Sequence, residues 1–306
     1  MKVEVIVPTM NRPKMLRESL ISLIFNSGIS IERIIIIDSS NKENHERVTK
    51  IVSELEADYG IDMDIIHQPP RGISAAINAG LRVSRGDIIA KVDDDILYEK
   101  NWLKKIVDVM RADKKIGCCL VRVIPMKNDL QSKLYNAVLS MDKGGKRFII
   151  HPKDISVVSL LRTLGKVLKA KMRRKYKKVM VPPFIGYIVQ VLRREAIENA
   201  GVYDECLGLG TPAGGGEELD IIYRLLKKGW NVAYIGDSVV YHNCSRNLRT
   251  IMRDIFEAGT SKRAVIIKYA KQGDLYMILM GVLIIANLLL DYYMTKPKSS
   301  FLRAIR

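Results

Sequence analysis

Along the first 125 positions apolar residues recur in two rhythms: short β-branched runs, and longer stretches in which they return at helical spacing. The runs read as buried strands and the longer stretches as amphipathic helices. Met1–Pro8 is the first strand, and Asn11-Arg12-Pro13 opens a helix with Leu16, Leu20 and Leu23 on one face. Ile34–Ile37 is a second strand ending in Asp38-Ser39-Ser40, and the helix from Glu43 turns Val48, Ile51, Val52 and Leu55 inward. Asp62–His67 makes a third strand, Pro69-Pro70-Arg71-Gly72 a turn, and Ile73–Val83 an Ala-rich helix. Ile88–Val92 is a fourth strand running into Asp93-Asp94-Asp95; a helix through Trp102, Leu103, Ile106, Val107 and Met110 and a strand over Ile116–Ile124 follow. Repeated βα units predict an α/β fold whose mostly parallel central sheet is flanked by helices and binds its ligand outside the strands' carboxyl ends. Thr9, Asp38, Arg71 and the three acids all fall at those ends. No GxGxxG follows the first strand, which argues against a dinucleotide-dependent dehydrogenase.

Further on, the pattern changes. From Ile155 to Arg194 the chain has no acid, and Val158, Leu161, Leu164, Leu168 and Met172 share one helical face while Arg162, Lys166, Lys169, Arg173 and Lys177 hold another. A basic amphipathic helix over 155–178 is either a solvated surface insert or a membrane-surface element. Phe184–Leu192 reads as a return strand and Arg193–Ala200 as a short helix stopped by Gly201. Gly214-Gly215-Gly216 then opens a helix with Glu217, Glu218 and Asp220 in its first turn, where the helix dipole favours ionised acids. Glu218 shares a stripe with Ile222 and Leu225 and should face the core or a cleft above it. Asn231–Ile235 and Ser238–Tyr241 are two short strands, and His242 ends the second. Leu275–Leu290 carries no charge; extended through Met294 it approaches the roughly 20 residues a bilayer requires. Basic residues on both sides suit an interfacial as well as a buried helix.

The formal charge of +17 over 306 residues implies an anionic partner. Aromatic residues are sparse in the basic stretch, which disfavours a single-stranded nucleic-acid platform. Cys118, Cys119, Cys206 and Cys244 form no CxxC pair, so neither a zinc module nor a disulfide framework is expected, and a reducing compartment fits. No charged and apolar leader precedes the first strand, so no secretory signal is expected. Three adjacent carboxylates repel one another unless a cation, hydrogen bonds or water offsets the repulsion, and oxygen-rich sites suit Mg²⁺ or Mn²⁺.

Taken in order, Val5-Ile6-Val7-Pro8-Thr9-Met10-Asn11-Arg12, Ile36-Ile37-Asp38-Ser39-Ser40, Arg71 to Gly80, Gly86 to Asp95, Gly216-Glu217-Glu218-Leu219-Asp220 and Asp237 to His242 resemble the family 2 glycosyltransferases of the GT-A fold. The resemblance implies a Rossmann-like catalytic domain over 1–245, with a nucleotide-sugar half at 1–125 and an acceptor half at 126–245. A helical, membrane-associated tail over 246–306 completes the expected organisation. It implies that Pro8, Thr9, Asn11, Arg12, Asp38, Arg71, Asp93 and Asp94 bind the nucleotide sugar, with Asp38 near the base. It implies that Asp93 and Asp95 are the DxD pair, that Asp93, Asp95 and His242 hold Mn²⁺ or Mg²⁺, and that Glu218 is the catalytic base of an inverting displacement. The expected partners are a nucleoside diphosphate sugar and a glycan or lipid-linked acceptor at the cytoplasmic face of the membrane. The family's base position more often carries Asp, and Lys91 stands where an apolar residue is common. Absence of QxxRW favours single-sugar transfer over processive polymerisation. A sugar-phosphate nucleotidyltransferase and a non-catalytic basic membrane or nucleic-acid module are the competing readings.

Overall fold

The structure, a computed structural model, describes residues 1–126, 145–162, 188–243 and 248–295, the last stretch without the side chains of 248–255, 258 and 287–295. Its first half alternates β1 (Val3–Thr9), α1 (Pro13–Asn26), β2 (Arg33–Asp38), α2 (Lys42–Tyr59), β3 (Met63–His67), α3 (Ile73–Val83) and β4 (Ile88–Lys91). A short β5 (Ile96–Tyr98), α4 (Trp102–Ala112) and β6 (Ile116–Pro125) follow. The second half contributes β7 (Phe148–Ile150), β8 (Gln190–Arg193), α5 (Arg194–Ala200), α6 (Glu217–Lys227), β9 (Asn231–His242), α7 (Leu248–Ala270) and α8 (Leu275–Thr295).

Local chemistry explains the element ends. Pro13 begins α1 where a helix leaves its N–H unused, the Asn41 side chain accepts from the Asn44 N–H to cap α2, and Gly60 ends α2 in the left-handed region at φ 63°. The strands need no polar face because both sides of the sheet are covered. Ile34 and Ile36 of β2 pack with Val3, Val5, Val7, Leu16, Leu20, Trp102 and Ile106, whereas Ile35 and Ile37 pack with Ile6, Ile77, Leu120, Leu192 and Ile222. Ile88, Ala90 and Val92 face the first layer and Ile89 the second, so alternation sends Lys91 to the second layer, under α6.

The sheet order is β3-β2-β1-β4-β8-β6-β9-β5, with β7 also pairing β9. It is mixed rather than mostly parallel: β3, β2, β1 and β4 run together, but β8 lies antiparallel between β4 and β6, and β5 and β7 are antiparallel to β9. Hydrophobic alternation identifies a strand's faces and carries no information on its direction, which is why the sequence pattern misses this. The two short strands expected over 231–241 are one strand, with three residues (Gly236 to Ser238) inserted opposite the Val121–Arg122 step of β6. The return strand is shorter than expected, Gln190–Arg193, and the expected residues 184–187 lie outside the described ones. Of the basic helix expected over 155–178, residues 157–162 are helical and 163–178 lie outside the described residues.

Helices α7 and α8 are built into the second layer. Val265, Tyr269, Tyr276, Met277 and Met280 are buried with Leu219, Ile222 and Tyr223 of α6. Polar contacts fix the same junction. Asp220, fully buried on α6, accepts from Arg224 Nε at 2.8 Å, Lys268 Nζ at 2.6 Å and the Tyr269 hydroxyl at 2.7 Å. The Tyr223 hydroxyl and Lys227 both donate to Asp274 ahead of α8, at 2.8 and 3.1 Å. No helix among the described residues is long and apolar enough to cross a membrane.

Asp220→Ala strips a buried carboxylate from two cations and a hydroxyl. It is expected to lower unfolding stability by about 3–5 kcal/mol, read as a lower urea midpoint; an unchanged midpoint would show that the α6–α7 junction carries no stability.

Candidate active site

The carboxyl ends of three parallel strands form one row, because Thr9 pairs with Asp38 and Asp38 with His67 in the sheet register. Val92 continues beside β1, its N–H donating to Ile6 O at 3.1 Å, so the acids that follow turn over the strand ends. Asp94 is buried, and its Oδ2 accepts from the Thr9 hydroxyl at 2.7 Å. Arg12 lays one guanidinium nitrogen between Asp94 Oδ1 at 3.2 Å and Asp95 Oδ2 at 3.3 Å. The backbone pins Asp95 to the end of β9: Ile96 pairs with His242, and Asn243 N–H donates to Asp95 O at 2.8 Å. His242 Nε2 lies 3.3 Å from Asp95 Oδ1.

That spacing suits a shared cation. Metal–ligand bonds of about 2.0–2.1 Å set neighbouring donor atoms about 3 Å apart. An oxygen-rich set with one imidazole suits Mn²⁺ or Mg²⁺, and Arg12 already holds positive charge against the same carboxylates. Asp95 and His242 are thus the expected ligands that lie together. Asp93 turns the other way, its Oδ1 lying 3.0 Å from Lys91 Nζ.

Lys91 is the centre of the second half of the site. The residue is 1% exposed, and its ammonium also contacts Glu218 Oε1 at 3.1 Å and donates to Ile188 O at 3.0 Å. Burial alone would strip its proton; Asp93, Glu218 and Glu217 oppose that and raise its pKa. Burial pushes the Glu218 carboxyl up to about 8, with Glu217 and Asp93 adding to the rise and Lys91 pulling against it. Asp94 is pushed up to about 6, chiefly by burial, with the Thr9 hydroxyl pulling it down.

Glu218 remains partly open to solvent, its side chain 16% exposed. Its helix is carried in by a glycine-rich loop folded back over α3. Gly208 N–H donates to Gly215 O at 3.2 Å, Ser74 Oγ donates to Leu207 O at 2.6 Å, and Ile73 N–H donates to Leu209 O at 2.9 Å. Gly208, at φ +107°, admits no side chain, since a Cβ would come within 2.6 Å of Ile73. Gln190 steadies α6 from β8, donating to Glu218 O at 3.3 Å while accepting from the Tyr203 hydroxyl at 2.6 Å.

The other expected residues have distinct surroundings. Pro8 is buried in β1, and Arg71 is exposed at the turn before α3. Asn11, at φ 57°, clasps two turns together: its N–H donates to Ser40 Oγ at 2.7 Å and its Oδ1 accepts from Asn41 N–H at 2.9 Å. Asp38 is fully buried, accepting from Ser40 N–H at 2.9 Å, with His45 Nδ1 2.7 Å from its Oδ2. The sequence reading missed Gln190, Tyr203 and the two histidines beside Asp38, and saw Lys91 only as a departure. A lysine in an otherwise apolar strand, two positions before an acid run, was the available signal.

A mixed sheet with an acid cluster at its strand ends, and a glutamate brought beside that cluster by a later helix, has the layout of a GT-A type scaffold. The model of glycosyl transferase family 2 matches residues 4–194, and the chain belongs to that family. The pre-mycofactocin glycosyltransferase of Mycobacterium tuberculosis is 23% identical over 263 residues, 85% of this chain and 46% of that protein. The glucosyl-dolichyl phosphate glucuronosyltransferase of Haloferax volcanii is 33% identical over 113 residues, 35% of this chain and 34% of its own. The chain spans about half or less of the length of these relatives. Among solved structures, S. aureus TarS 1-349 in complex with UDP-GlcNAc superposes with TM-score 0.56 at 14% identity, covering 87% of this chain and 66% of that one. GalNAc-T7 with UDP, GalNAc and Mn²⁺ also gives 0.56, at 18% identity over 79% of this chain and 43% of that one. These two likenesses establish the fold.

Lys91→Met removes the cation that lowers the Glu218 pKa. The Glu218 titration, followed by NMR of ¹³C-labelled glutamate, is expected to move to higher pH; an unmoved titration would mean the 3.1 Å contact carries no electrostatic coupling.

Proposed function

We propose that this protein transfers a sugar from a nucleoside diphosphate sugar to a hydroxyl group, with inversion and with the help of Mn²⁺ or Mg²⁺. The observation that carries the reading is the buried cluster in which Lys91 joins donor-side Asp93 to Glu218. The nucleotide and Mn²⁺ named with the solved neighbours support the same donor and metal class.

In this reading Pro8, Thr9 and Asp38 border the nucleoside, Asp93 lies by the ribose, and Arg12 and Arg71 supply positive charge. Asn11 and Asp94 hold the turn that carries Arg12. Asp95 and His242, with Asp93 as third candidate, would hold the metal, which when bound would supply Lewis-acid stabilisation of the charge on the diphosphate. Glu218 accepts the acceptor's hydroxyl proton as that oxygen attacks the anomeric carbon. The new C–O bond forms opposite the breaking one, and the nucleoside diphosphate leaves with the bonding electron pair. A base must be ionised to accept a proton, and the Glu218 pKa is raised; transfer therefore increases as pH rises through about 8 and fades below it.

Glu218→Gln is expected to keep nucleotide binding and lose about 10²–10⁴-fold in nucleoside diphosphate release. Asp95→Ala should abolish the Mn²⁺ dependence of that release. Retained transfer in Glu218→Gln would move the base elsewhere, and diphosphate release from a nucleoside triphosphate would mark a nucleotidyltransferase instead.

The proposal extends to the cytoplasmic membrane face, with 1–245 as catalytic unit, 246–306 as docking element and a lipid-linked or cell-surface glycan acceptor. What supports it is the outer side of α8, where Leu275, Ile278, Val282 and Ile285 are exposed on a chain of net charge +17. A Val282→Asp/Ile285→Asp double variant should sediment far less than the unaltered protein with phosphatidylserine-containing vesicles. Equal sedimentation would reassign this side of α8 to a protein partner.

A further inference from the structure

The three acids are offset by two cations of opposite character. Lys91, on Asp93, is enclosed and fixed by its partners. Arg12, on the other two, has a side chain 52% exposed, so its guanidinium can move without stranding a charge away from water. Asp94 and Asp95 are both buried, and a single nitrogen, Nη1, serves the pair at 3.2 Å from Asp94 Oδ1 and 3.3 Å from Asp95 Oδ2. The Thr9 hydroxyl holds Asp94 from its other side, and Asp95 Oδ1 faces His242 Nε2. The backbone of Arg12 cannot follow its side chain. Its carbonyl accepts from Leu16 N–H at 3.0 Å to start α1, and Asn11 clasps the preceding turn to Ser40 and Asn41. A long, exposed arm on a fixed base gives the guanidinium a radius of movement centred on the acids.

We infer that Arg12 is a positioning residue that makes metal binding at Asp95 and His242 conditional on the nucleotide, because its guanidinium holds the same carboxylates until a diphosphate draws it off. The two oxygens of Asp95 divide the roles, Oδ2 meeting Arg12 and Oδ1 facing the imidazole. A divalent ion bound through Oδ1 would share one carboxylate with the guanidinium, and repulsion between two cations in a partly buried site is weakly screened. Arg12 in this position therefore lowers the affinity of Asp95 and His242 for the ion. A diphosphate changes both sides of the balance. It offers the guanidinium planar, charge-assisted hydrogen bonds from phosphate oxygens, and it adds negative charge beside the ion. Nucleotide and ion then favour the same displaced position of Arg12, so by linkage each tightens the other. Departure of the nucleoside diphosphate returns the guanidinium to Asp94 and Asp95 and loosens the ion. The inference rests on the donor and metal class proposed above.

The experiment measures Mn²⁺ affinity of the full chain by electron paramagnetic resonance of the unbound ion, first with Mn²⁺ alone and then with saturating UDP, GDP, CDP or ADP in turn. Arg12→Met is expected to bind Mn²⁺ alone at least about tenfold more tightly than the unaltered protein, and to gain correspondingly less from nucleotide. Arg12→Lys, which keeps the charge, should stay near the unaltered protein. Asp95→Ala added to Arg12→Met should abolish the gain. Tighter binding is a result that mere structural damage does not produce. Equal or weaker Mn²⁺ binding by Arg12→Met, with nucleotide still tightening Mn²⁺ in the unaltered protein, would overturn the inference and leave the donor reading standing. So would a gain that survives Asp95→Ala. If none of the four nucleotides tightens Mn²⁺ in the unaltered protein, the donor reading and the inference fall together.

Discussion

Lys91 carries an ammonium that is almost wholly enclosed, between two carboxylates that would otherwise face each other. Removing such a charge from water costs several kcal/mol, and two short ion pairs with a bond to Ile188 O offset that cost only while all partners keep their places. The arrangement therefore tolerates little movement of β4 against α6. Asp93 cannot swing without leaving a buried cation underpaired, and Glu218 cannot withdraw without the same penalty. The acidic turn and the helix bearing the proposed base are held in one electrostatic unit, although Asp93 and Glu218 are 125 positions apart.

Everything else in the site follows from where that unit lies on the sheet. Alternation along β4 turns Lys91 toward α6, while Ala90 and Val92 enter the opposite layer. The same register lines up Thr9, Asp38 and His67. Thr9 then hands the row over to the acids through Asp94. The acids do not share one fate, since each neighbour is fixed by a different strand. Asp94 is tied to β1, Asp93 to Lys91 on β4, and Asp95 to His242 at the end of β9. An acidic triplet that looks uniform in sequence is thereby divided among hydrogen bonding, ion pairing and a position fit for metal ligation.

Much of this was legible from the chain alone, and the reason is physical. In a sheet covered on both faces, strands are continuous apolar runs, so Ile34 to Ile37 and Ile88 to Val92 declare themselves, and the polar residues that end them mark the ligand side. Helix α3 was read to the residue, because the Gly72 turn and Ser84 bound it sharply. What stayed hidden depended on strand direction or on partners distant in sequence. Nothing in Gln190–Arg193 says that it runs against β4. The three-residue strands Ile96–Tyr98 and Phe148–Ile150 are too short for a period to register. In sequence Asp220, two residues from Glu218, has no readable role of its own. Beside Arg224 on the same helix, Lys268 and Tyr269, nearly fifty positions on, give it a structural role. His45 and His67 were likewise invisible as a pair, since their meeting depends on β2 and β3 being neighbours.

The coupling of α6 to the C-terminal helices bears on how a large acceptor could be handled. Glu218 and Asp220 sit on one helix, so the contacts that fix Asp220 to α7 also fix the direction in which Glu218 points. Tyr223 and Lys227 extend the tie to Asp274, and Tyr276, Met277 and Met280 seal the inner face of α8. The exposed apolar residues of α8 lie on the back of the same seal. A surface that engages lipid through that outer face would thus be joined to the proposed base through packed side chains and buried ion pairs rather than through a flexible linker. Docking would then set the orientation of the acceptor cleft relative to the bilayer, instead of merely raising local concentration. For a hydroxyl presented from a lipid-linked chain, which cannot rotate freely to find the base, that fixed geometry would be the physical advantage of docking through a helix packed against α6.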